Sequence, residues 1–66
     1  MDRFVLGQRI IYRGRKGTVV KCRTQDNGAL ISMDDGPVNG DRLFNEDGDR
    51  NEGHYVLLYP EICGKL

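Results

Sequence analysis

Apolar residues come in short runs along this chain, and each run closes on glycine, proline, asparagine or aspartate. That spacing predicts strands joined by tight turns. A first strand is expected over residues 8–13, rich in β-formers and stopped at Gly14. A second spans residues 17–24, with polar positions alternating from Val20 onward. Asp26-Asn27-Gly28 is a turn signal, since Asn and Gly tolerate positive φ. The third strand, residues 29–34, sets Leu30 and Ser32 on one face and Ile31 and Met33 on the other. Asp35-Gly36-Pro37 ends it. The fourth, residues 55–59, stops at Pro60. Residues 60–62 suit one helical turn, and residues 63–66 a short last strand. No amphipathic stretch at the helical period exceeds about two turns. Residues 35–54 form a long polar loop, of a length that is often functional. Within it Leu43 and Phe44 are expected to dip back onto the core.

The expected architecture is a single all-β domain over residues 1–66. Strands at this spacing define a small barrel or sandwich. The stretch GQRIIYRGRKGTVVKCRTQDNGALISMDDG, residues 7–36, with residues 56–62, resembles the small SH3-like barrels, including KOW and Tudor-like modules. The carrying features are the Gly-Thr-Val second strand, the Asp-Asp-Gly after the third and the Tyr-Pro strand end. The resemblance implies a five-stranded SH3-like barrel with a long polar loop between strands three and four and one helical turn near the C-terminus. Such barrels host many functions. One enzyme family, the type II dihydrofolate reductases, builds a tetrameric pore from SH3-like chains. Val56-Leu57-Leu58-Tyr59-Pro60 resembles its pore-lining segment in the tyrosine and proline. Leu57 stands where the pore glutamine would be, and the matching first-strand lysine is missing, so this pore-enzyme reading is the remote alternative.

Composition adds three constraints. At 66 residues the chain buries a small core, about 60% of its unfolded surface, so a homo-oligomer is an expected source of extra stability. Cys22 and Cys63 are too few and too far apart in sequence for a secreted disulfide scaffold or metal-ligand spacing, and are expected to be reduced thiols. Residues 1–25 carry arginines and no apolar signal core, and no segment approaches the ~20 apolar residues of a membrane span, so a cytoplasmic protein without membrane contact is expected.

Charge changes the picture more. The net charge is zero, yet residues 1–23 carry +6 and residues 24–66 carry −6. Either the halves neutralise one another in the fold or across a dimer, or each faces a partner.

The residues offer little catalytic chemistry. His54 stands alone at a loop edge, and Ser32 is mid-strand without a nucleophile elbow. Asp34 and Asp35 read as strand-end turn residues. Residues 47–53 space Asp47, Asp49 and Asn51 like the start of a calcium loop, but the glycine falls one position late and Leu58 replaces the bidentate glutamate. No enzyme, cofactor or metal is expected.

Gly14-Arg15-Lys16-Gly17 resembles the backbone-clamping loop of KH modules, which joins helices; its flanks here are strands, so it reads as a hairpin tip. With Arg15 and Lys16 at the tip and Arg13, Lys21 and Arg23 on the flanking strands, the hairpin is a candidate phosphate-contact strip. The expected function is a non-enzymatic module that contacts nucleic acid, or a nucleic-acid-handling complex, through these five cations. The alternative is a protein-interaction or inhibitor module, of a phage or mobile-element kind, using Asp41, Glu46, Asp47, Asp49 and Glu52 of the acidic loop.

Overall fold

The computed structural model describes residues 3–38, 40, 42–48 and 53–66. Six strands make one antiparallel sheet: β1 (Arg9–Tyr12), β2 (Arg15–Cys22), β3 (Ala29–Met33), β4 (Leu43–Phe44), β5 (Tyr55–Leu58) and β6 (Gly64–Lys65). A 3₁₀ turn, Pro60–Ile62, separates β5 from β6. The spatial order is β4-β5-β3-β2-β1-β6. The two outer strands do not pair with each other, so the sheet is open. This corrects the expected architecture in two respects: there are six strands where five were expected, and closure into a barrel is not seen. The sixth is β4, whose two residues interrupt the long loop and pair with Val56 and Tyr55.

The β1–β2 turn also lies two residues earlier than expected. Arg13 and Gly14 are its central residues, with φ of 51° and 79°, and Tyr12 pairs with Arg15 across it. Two central residues at positive φ are what a two-residue hairpin of right-handed twist requires. Gly17 is therefore inside β2, buried, and paired with Ile10 on one side and Met33 on the other. A side chain there would drive its Cβ to 2.6 Å from Ile31 Cγ2 and 2.9 Å from Met33 Sδ. Arg15 and Lys16 start a strand and do not form the tip.

The register slips between Val19 and Lys21, leaving Val20 as a bulge residue that is exposed. A bulge bends and twists its strand. The core is Phe4, Ile10, Val19, Ala29, Ile31, Met33, Val56 and Leu58, with Tyr12, Leu43, Cys22 and Cys63 packed at its margin. Leu30 is equally buried but points to the other face of β3, beneath Val20, Tyr55 and the turn at Glu46 and Asp47. Alternation along β3 thus serves two apolar layers of unequal size. Neither cysteine is in a disulfide. No helix among the described residues is long and apolar enough to cross a membrane.

Candidate functional site

The five hairpin cations have different fates. Arg13 is exposed at the turn, its guanidinium 5.4 Å from the centre of the Tyr12 ring. Arg15 turns sideways to Asp35, donating from Nε to Oδ2 at 2.9 Å and from Nη2 to Oδ1 at 3.0 Å, and donates also to the Gly36 carbonyl. Lys16 is exposed and feels the Asp34 carboxylate. Lys21 donates from Nζ to the backbone carbonyl of Glu46 at 2.9 Å. Arg23 grips Asp26, which also accepts from the Gly28 N–H and the Tyr59 hydroxyl. The strip is therefore not a uniform row of free charge.

A further pair escaped the sequence reading. Arg9 donates from Nη1 to Thr18 Oγ1 and to Asp34 Oδ1, each at 2.7 Å. The antiparallel register places Arg9 opposite Thr18, and Thr18 opposite Ser32, so the end of β3 lies across the sheet from β1. Asp34 and Asp35, together with Asp26, are the partners of the basic hairpin. From the long loop, Asp35, the Gly36 carbonyl and the Glu46 carbonyl reach hairpin cations among the described residues.

These contacts set the titration of the acids. The Arg9 guanidinium beside Asp34, the Arg15 guanidinium beside Asp35 and the Arg23 guanidinium beside Asp26 hold each carboxyl below its ordinary value, chiefly through the charged hydrogen bond. Arg9 and Arg23 are raised in turn by the same bonds. Burial pushes the Cys63 thiol up, which disfavours its nucleophilic form.

Of the alternative site, Glu46 and Asp47 sit exposed on a turn that the Asn45 side chain organises by accepting the Asp47 N–H. Asp41, Asp49 and Glu52 lie outside the described residues, as does the middle of the calcium-like stretch. Among the described residues no group of three His, Cys, Asp or Glu side chains is gathered to hold a metal. His54 is exposed at the bend before β5.

One feature was not foreseen. A groove of about 380 Å³ opens where the end of β1, β4 and the end of β5 converge, lined by Tyr12, Arg42, Phe44, Leu57, Tyr59 and Ile62. Its volume is in the range of small-ligand clefts, about 300–1,000 Å³. None of its described lining residues is a carboxylate. Sequence reasoning had no local signal for this site, because its three rings come from positions 12, 44 and 59. Compared with known proteins, the chain matches no family model, no curated protein and no solved structure.

Proposed function

We propose that this protein is a non-enzymatic binding module on an SH3-like scaffold, and that it contacts nucleic acid through the β1–β2 hairpin. The scaffold reading is supported by the succession of three hairpin-linked strands, a long connection, a strand, a 3₁₀ turn and a short strand. Closure between the outer strands is the part of a barrel that the sheet order lacks. The observation that carries the function is the division of labour among the hairpin cations. Arg15 and Arg23 are neutralised by aspartates, while Arg13 and Lys16 remain exposed on the same hairpin without a hydrogen-bonded carboxylate among the described residues. An exposed arginine and lysine contribute phosphate contacts, which position a nucleic acid without reading its sequence.

Fluorescence anisotropy with a labelled oligonucleotide at about 50 mM and 200 mM salt tests this. Arg13→Glu with Lys16→Glu is expected to weaken binding by roughly tenfold or more at the lower salt and to flatten the salt dependence. Absence of binding at low salt, or an unchanged affinity in the double variant, refutes it.

The second reading is a protein-interaction module presenting acidic residues to a basic partner. It is favoured by the exposed Glu46 and Asp47, on a turn whose backbone Lys21 pins to the sheet.

A further inference from the structure

We propose that the groove between the ends of β1 and β5 receives an unpaired nucleobase of a single-stranded nucleic acid, with Arg13 and Arg42 placed for the adjoining phosphates. The inference rests on the nucleic-acid reading above and adds to it the form of the ligand. Three observations carry it.

Much of the lining is aromatic. Tyr12, Phe44 and Tyr59 bring three rings to one groove in a chain that has only five aromatic residues. Rings in a cleft of about 380 Å³ suit one planar group, and base stacking on aromatic side chains is indifferent to which base is offered.

Among the described lining residues the charge is of one sign. Arg42 is a lining residue, and Arg13 is held over the Tyr12 ring that forms part of the same lining. Unlike Arg9, Arg15 and Arg23, neither is ion-paired among the described residues. The described lining carries no carboxylate to repel a phosphate. An acidic peptide would satisfy the cations, but would give the rings a stacking partner only through an aromatic side chain of its own.

The groove is continuous with the hairpin. Tyr12 is both the last residue of β1 and a groove wall, and the next residue is the exposed Arg13 of the turn. A strand held at the hairpin tip therefore has its next base at the groove, whereas a duplex keeps its bases stacked and paired.

The test uses the whole chain and twelve-nucleotide probes: oligo-thymidine, the same backbone with abasic sites, and a duplex. Two of the three tyrosines, Tyr12 and Tyr59, line the groove and the chain has no tryptophan, so quenching of tyrosine emission that Ile62→Asp abolishes reports occupation of the groove. The variants are Arg42→Glu and Ile62→Asp; Ile62 is 53% exposed, so a change there is carried by the surface. A thermal melt checks that each variant is folded. The expected result is tenfold or so tighter binding of oligo-thymidine than of the abasic or duplex probe, with quenching, and a loss of about that factor in each variant. Equal binding of all three probes, unaffected by Ile62→Asp but weakened by Arg13→Glu with Lys16→Glu, overturns the groove and leaves the hairpin contact standing. No binding of any probe overturns both. Quenching by polyglutamate that is lost in Ile62→Asp, without quenching by oligo-thymidine, overturns the base site in favour of an acidic protein segment.

Discussion

Aspartate is the residue that organises the surface of this protein. Asp26, Asp34 and Asp35 each follow a strand or sit in a turn, where a short carboxylate can accept from the backbone and reach a neighbouring arginine. All three ionise more readily in the folded chain than in the unfolded one, where the ordinary value is 3.8. The stability they contribute is therefore complete above about pH 4 and is lost as the pH falls through their lowered folded values. Melting temperature followed by circular dichroism should be flat from neutral pH down to about pH 4 and drop below it. In Asp35→Asn the drop should be shallower and the melting temperature at neutral pH slightly lower, since an exposed pair contributes little. An acid limb identical to that of the parent would exclude the Arg15–Asp35 pair as a contributor.

At the scale of elements, the decisive contacts are between strands. β2 is the central organiser, paired with β1 on one side and β3 on the other. Gly17 is its narrowest point, where Ile31 and Met33 close over the backbone. Gly17→Val should destabilise by about 1–3 kcal/mol, the cost of overpacking a filled core, as read by urea denaturation. A neutral result would mean that Ile31 and Met33 move aside without loss.

The elements also show how far the pattern of the chain could be read. β1, β3 and β5 fall where alternation and turn residues place them, because a half-buried strand writes its two faces into neighbouring residues. β4 has only two residues, too few to carry a period, and only the packing of Leu43 at the core margin marks it. The turn was misplaced because Gly14 and Gly17 look alike in sequence. One has a positive φ that only the hairpin requires, and the other has two neighbouring strands that leave no room for a Cβ. The cations were legible as charges and not as sites: whether Arg15 faces solvent or Asp35 depends on a contact between residues 20 apart.

On the scale of the whole molecule, the contrast between a +6 first third and a −6 remainder is partly resolved inside the fold, through pairs that join β1 and β2 to the turns around β3. The open sheet leaves two edges to protect. β6 covers β1 through Ile10 and Ile11, and the Leu66 N–H donates to the Arg9 carbonyl. Truncation after Ile62 removes that cover and uncovers a strand whose Ile10 is wholly buried. The truncated chain should melt at lower temperature and self-associate with rising concentration in sedimentation velocity, as exposed edges do. A monomer of unchanged melting temperature would show that β6 does not guard the edge.

By itself the sequence determined the all-β class, the principal strands, the turn at residues 26–28 and the 3₁₀ start at Pro60, since each is set by residues adjacent in the chain. Tertiary structure alone decided which cations are spent on aspartates, where β4 pairs, that the sheet stays open, and that Tyr12, Phe44 and Tyr59 share one groove. Those outcomes depend on strand register and on contacts between residues distant in sequence, which a local pattern of apolar and polar positions does not encode.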